Sequence, residues 1–115
     1  MKVPSAAHPI AIAANPRRVV VTYHGRVIAD TRAALVLCEA AYPAVQYVPR
    51  ADADMTALVR TAHATYCPYK GDCSYFSLPE AENAVWSYEA PYDSVAAIKE
   101  HLAFYPDRVE IRETD

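Results

Sequence analysis

From Arg18 to Arg112 the apolar residues come in short runs and alternations broken by turn formers, a pattern that predicts β-strands more often than helices. Arg18-Val19-Val20-Val21-Thr22-Tyr23 is β-branched and aromatic, His24-Gly25 supplies a turn in which glycine accepts positive φ, and Arg26-Val27-Ile28-Ala29-Asp30 returns. A β-hairpin is expected there. Residues 34–39 and 45–48 read as two more strands, joined through Tyr42-Pro43, and Pro49 closes the second. Thr65-Tyr66 and residues 74–78 are strands on either side of the loop Cys67-Pro68-Tyr69-Lys70-Gly71-Asp72. Residues 84–88 form another strand, and 109–112 the last.

Helical spacing occurs twice. Asp52 can cap a short segment in which Met55, Leu58 and Val59 fall three and four apart, enough for a helical turn or two. A longer helix is predicted from Asp93 or Ser94, either a good N-cap, with Val95, Ile98 and Leu102 on one face. Pro106 ends it, because proline disfavours helical geometry in the residue before it. Residues 1–16 hold three of the nine prolines and follow neither period, so they read as an extended arm before a single domain at 17–115.

Composition narrows the function classes. A chain of 115 residues can bury about two-thirds of its unfolded surface, enough for a core without metal or disulfide. Apolar residues make up 53% and charged residues 22%, the balance of a folded globular protein. Eleven Lys and Arg against 14 Asp and Glu give a net charge of −3, which offers no basic field for phosphates, so no nucleic-acid partner is expected. The apolar run at residues 10–14 is too short for a signal-peptide core or a membrane span. A cytoplasmic location is expected, with no membrane partner and with the three cysteines as free thiols.

The chemistry-bearing residues gather around the loop at 67–72. Cys67 and Cys73 are five residues apart and make no zinc knuckle, even with His63 and Cys38 as further donors, so neither metal nor cofactor is expected. A buried thiol needs neither. A nucleophilic Cys67 would need a lowered pKa, for which His63 or Lys70 could supply the positive charge, and a thiol-dependent enzyme is therefore the alternative reading. Lys70-Gly71 at the loop tip is a strand connection first and an anion cradle second. Nine tyrosines and the single Trp86 exceed what core filling would choose, because each buried phenol must find a hydrogen-bond partner. Tyr42, Tyr47, Tyr66, Tyr69, Tyr75 and Tyr88 fall near strand ends, positions that can rim a cleft.

Four segments also carry a family resemblance: ADTRAALVLCEAAYPAVQYVPR, TYCPYKGDCSYFSL, AVWSYEAPY and HLAFYPDRVEI. In order and spacing, from Arg18 to Arg112, the chain resembles a family of small bacterial proteins labelled domain of unknown function 427. Its most distinctive words are Cys67-Pro68-Tyr69-Lys70-Gly71, Trp86-Ser87-Tyr88 and Phe104-Tyr105-Pro106. The resemblance implies a mainly β (α+β) fold, a β-tent-like pair of antiparallel sheets carrying the one α-helix and the short helical turn. β-Tent folds occur in methionine-sulfoxide reductase B, the yippee proteins and the ligand-binding domain of cereblon; several carry zinc on two Cys-x-x-Cys pairs, which this chain lacks. The Gly-Ser element and paired aspartates of nucleotidyl transfer are also absent.

The expected function is small-molecule binding in an aromatic pocket lined by Tyr66, Tyr69, Lys70, Tyr75, Trp86 and Tyr88. A partner-binding module pairing through a strand edge, as in a homodimer, is a further alternative.

Overall fold

The computed structural model describes all 115 residues and holds ten strands in three antiparallel sheets. They are β1 (Ile10–Ala14), β2 (Arg18–Tyr23), β3 (Arg26–Thr31), β4 (Leu35–Glu39), β5 (Val45–Tyr47), β6 (Val59–Cys67), β7 (Gly71–Leu78), β8 (Ala81–Ser87), β9 (Ala103–Phe104) and β10 (Glu110–Thr114). The sheet orders are β1-β4-β5, β10-β2-β3 and β6-β7-β8-β9. The hairpin of β2 and β3 turns on His24 and Gly25, both at positive φ (49° and 78°), the backbone that a two-residue turn matched to strand twist requires.

The four-stranded sheet lies at the centre, with a core on each face. Phe76, Val85 and Phe104 are in register across β7, β8 and β9 and pack with Val21, Ile28 and Ala29 of the second sheet. One residue back along the register, Tyr75, Trp86 and Ala103 point to the opposite face and meet Leu37 and Tyr47 of the first sheet. The period-2 alternation along β7 and β8 thus divides the core in two and lets the protein pack three sheets with little more than a hundred residues.

Three expectations need correction. The β-strands form three small sheets, and no α-helix spans 93–102. Residues Asp93–Ile98 make a short 3-10 stretch, kinked where Val95 takes φ −127° and ψ 27°. Val95, Ile98 and Leu102 are all fully buried, as their spacing implies, but backbone partners elsewhere claim the segment. Glu100 adopts φ 62° and its N–H donates to the carbonyl of Tyr88, while Leu102 exchanges two backbone hydrogen bonds with Val48. Those long-range bonds satisfy groups that a helix would have paired internally, so tertiary pairing overrides propensity. The Met55–Ala57 turn is likewise 3-10, and its cap is Asp54, whose side chain accepts from the N–H of Thr56, in place of Asp52.

The arm at 1–16 carries β1, which pairs with β4 from Ile10↔Glu39 to Ala14↔Leu35. No helix is long and apolar enough to cross a membrane.

Candidate functional site

A cleft of about 500 Å³ lies between the first sheet and the four-stranded sheet. Its first wall is Leu37 and Glu39 of β4 with Val45 and Tyr47 of β5, two pairs that strand alternation places on one face. The second wall is Cys67 at the end of β6, Tyr75 of β7 and Trp86 of β8, followed by Tyr88. Tyr42-Pro43 and Tyr105 form its rim, and Lys70 reaches in from the β6–β7 turn.

That turn is held from three sides. The Lys70 N–H donates to the Cys67 carbonyl at 3.2 Å, the Tyr92 N–H donates to the Lys70 carbonyl at 3.0 Å, and the Lys2 N–H donates to the Pro68 carbonyl at 2.7 Å. Gly71 has φ +106°, and a Cβ there would stand 3.4 Å from the Ala90 carbonyl oxygen, so this glycine serves both the turn and the close passage of residues 90–92.

Lys70 is buried, and its ammonium is bound to Glu39 Oε1. His8 Nε2 bonds the other Glu39 oxygen at 2.7 Å. Burial pushes the Glu39 carboxyl up, but the hydrogen bonds from Lys70 and His8 outweigh it and hold the group below the ordinary carboxylate range. The Lys70 ammonium also lies 5.8 Å from the centre of the Tyr88 ring.

The phenols differ in their partners. Tyr47, 1% exposed, accepts from the Trp86 indole N–H at 3.2 Å and keeps its own proton for another acceptor. The Tyr75 hydroxyl shares a hydrogen bond with Thr65 Oγ1 at 2.9 Å. Tyr88 is 7% exposed, and its hydroxyl has the Cys73 thiol as its side-chain partner. Burial, foremost, pushes the Tyr47 and Tyr88 phenols far above their usual range and Tyr75 up to about 12. All three are neutral hydroxyls at physiological pH.

Of the six residues expected to line a pocket, the fold therefore gathers Lys70, Tyr75, Trp86 and Tyr88 around the cleft. Tyr66 and Tyr69 stand outside it. Tyr66 is 53% exposed and bonds the Tyr92 hydroxyl at 2.7 Å, while Tyr69 stacks on His8 with ring centres 4.0 Å apart. Both follow from alternation and turn geometry: Tyr66 points to the face opposite Thr65 and Cys67, and Tyr69 crowns the turn. Leu37, Glu39 and Val45 went unread because their sheet, not their sequence neighbourhood, brings them to the site.

The thiols are dispersed. Cys38 is exposed, Cys67 is at the cleft wall, and Cys73 is buried, with burial pushing its thiol up. The His63 ring lies tilted against the Tyr75 ring, centres 4.5 Å apart, and no group of His, Cys, Asp and Glu side chains is arranged to hold a metal ion.

A second polar cluster occupies the alternate residues of the same strands. Glu89 accepts from Arg60, from Ser74 Oγ at 2.8 Å and from Arg50 at 2.9 Å, and both guanidinium groups lie over the Phe76 ring, at 5.4 and 5.6 Å. The bond from Arg60 foremost holds the Glu89 carboxyl down at about 2. Because Ser74 and Phe76 alternate with Cys73 and Tyr75, this cluster braces the sheet from the face opposite the cleft.

No curated protein matches the chain. A family model described as "Domain of unknown function (DUF427)" matches residues 11–115, from the first paired strand to the last residue, and the chain belongs to that family.

Proposed function

We propose that this protein binds a small organic molecule in the cleft between the sheets β1-β4-β5 and β6–β9. One observation carries the reading: a wall of Tyr75, Trp86 and Tyr88 faces Leu37, Val45 and Tyr47 across about 500 Å³ of open space. Space of that size is typical of ligand pockets, which run to about 300–1,000 Å³. In this reading Trp86, Tyr75, Tyr88 and Lys70 contact the ligand, joined by Tyr47 and Val45, whereas Tyr66 and Tyr69 support the turn that carries Lys70. The two sheets flanking the cleft are the pair to which the β-tent likeness would apply.

The test is a thermal-shift screen of metabolite mixtures against the wild type and Val45→Trp, an indole at the cleft wall that would fill the space. A compound that raises the melting temperature of the wild type and leaves Val45→Trp unmoved is expected. Stabilisation of both proteins alike would remove the cleft from consideration.

A second reading, thiol chemistry, is favoured by the position of Cys67 on the cleft wall near Lys70. It requires Cys67 to be alkylated by iodoacetamide faster than the exposed Cys38 at neutral pH. Slower labelling, the order that exposure alone would give, excludes it.

A further inference from the structure

Three sheets have six outer strands, and all but one of these carry a device that blunts further pairing. β3 is covered where the Asp54 N–H donates to the Ile28 carbonyl, and β5 runs on into the bridge between Val48 and Leu102. β6 is bulged between Arg60 and Ala64, β9 has only two residues, and β10 is charged at Glu110, Arg112 and Glu113. β1 has none of these. It reads Ile-Ala-Ile-Ala-Ala, without charge or proline, and its register against β4 is unbroken. The bonds at its two ends fix which of its backbone groups are used: the Ala40 N–H donates to the Pro9 carbonyl and the Asn15 N–H to the Ala34 carbonyl, both at 2.8 Å. Bonded residues alternate in an antiparallel ladder, so Ala11 and Ala13 pair with β4, and the N–H and C=O groups of Ile10, Ile12 and Ala14 point away from it. This open edge is bounded on both sides. The next outward residue before it, His8, exchanges both backbone bonds with Ser5, and the next one after it, Pro16, has no N–H. There the Asn15 side chain accepts from the Arg17 N–H at 3.0 Å and turns the chain off the edge.

An edge whose outward residues are centred on Ile12 is its own complement. We infer that two copies of this protein pair antiparallel through β1 about a two-fold axis at Ile12, with Ile10 opposite the partner's Ala14 and Ile12 opposite the partner's Ile12. In that register each outward pair exchanges both backbone bonds, and the two β1-β4-β5 sheets join into one of six strands. Ala11 then lies opposite the partner's Ala13, twice, in the closer non-hydrogen-bonded pairs. No like charges meet across the axis. The occupant selected is a second copy, because the strand that matches this window in length, direction and absence of charge is the window itself. A strand pair about 17 Å long buries less than the roughly 1,200 Å² of a standard stable complex, so the dimer is weak and forms at high protein concentration. The pairing stands independently of the cleft as a binding site.

The test is sedimentation velocity of the full chain from micromolar to millimolar concentration, where the mass is expected to rise from that of one chain toward that of two. Amide exchange at Ile10, Ile12 and Ala14 should slow over the same range, whereas Ala11 and Ala13, already bonded to β4, should exchange slowly throughout. Two variants carry opposite expectations. Ala11 and Ala13 are exposed and alternate with the inward isoleucines, so charges placed there alter the edge and spare the core. Ala11→Lys with Ala13→Lys sets like charges opposite one another at two places and should weaken the dimer. Ala11→Lys with Ala13→Glu sets opposite charges at the same two places and should pair about tenfold more tightly than the double lysine variant. Thermal melts of the dilute variants check that both fold. A wild type that stays monomeric at millimolar concentration, equal affinity in the two variants, or concentration-dependent protection at a different strand edge overturns the inference.

Discussion

The ion pair at Glu39 and Lys70 sets the energetics of the site at the scale of single residues. Both side chains are largely withdrawn from solvent, at 15% and 9% exposure, so removing one partner leaves the other desolvated without its counter-charge. Lys70→Met is expected to destabilise the protein by ~2–4 kcal/mol at pH 7, read by urea denaturation, and Lys70→Met with Glu39→Leu by less than the single change. The penalty in Lys70→Met should shrink as the pH falls through the carboxylate range, where Glu39 gains a proton and no longer needs a cation. A penalty independent of pH would mean that lost packing, not charge, is responsible. Glu89 contributes with the same sign. Its folded value of about 2 lies below its ordinary one, so its stabilisation is complete above pH ~4.5 and is lost as the pH falls toward 2. Allowing for partial solvent screening, that contribution is ~1–2 kcal/mol. Glu89→Gln should therefore flatten the acid limb of the stability profile between pH 4.5 and 2; an unchanged limb would show that other carboxylates dominate it.

The β6–β7 turn is the element on which the site depends, because it places Lys70, ends β6 at Cys67 and receives residues 90–92. Gly71→Ala would demand a strained backbone at φ +106° and bring a methyl group to 3.4 Å from the Ala90 carbonyl. A loss of ~1–3 kcal/mol is expected, with faster amide exchange at Tyr92, whose N–H bonds the Lys70 carbonyl. A neutral substitution would show that the turn relaxes freely. Strands with clear alternation, such as β2, β3, β7 and β8, were legible because side-chain period and turn chemistry are local properties. The 93–102 segment was not: its buried residues fall at helical spacing, yet Glu100 and Leu102 take their backbone partners from Tyr88 and Val48, distant in sequence. The β1 strand was hidden for a related reason, since Ile10 and Ile12 among alanines have little meaning until β4 is laid beside them.

For the whole molecule, the site is a product of how three sheets divide one core. Tyr75, Trp86 and Tyr88 could be named from the sequence because aromatic residues near strand ends stand out. Their counterparts Leu37 and Val45 acquire meaning only when the first sheet closes over the four-stranded sheet and leaves a gap. Lys70 shows the limit most clearly: a cation at a glycine turn reads as exposed and free, and the fold buries it against Glu39. The account rests on the gap between these sheets being a place that a guest occupies. The most direct measurement is backbone and indole chemical-shift mapping with a compound from the thermal-shift screen. The account predicts joint movement of the Trp86 indole and the amides of Val45, Tyr47 and Tyr88, with the β10-β2-β3 sheet unmoved; shifts confined to that sheet, or to the surface around Tyr66 and Tyr69, would contradict it.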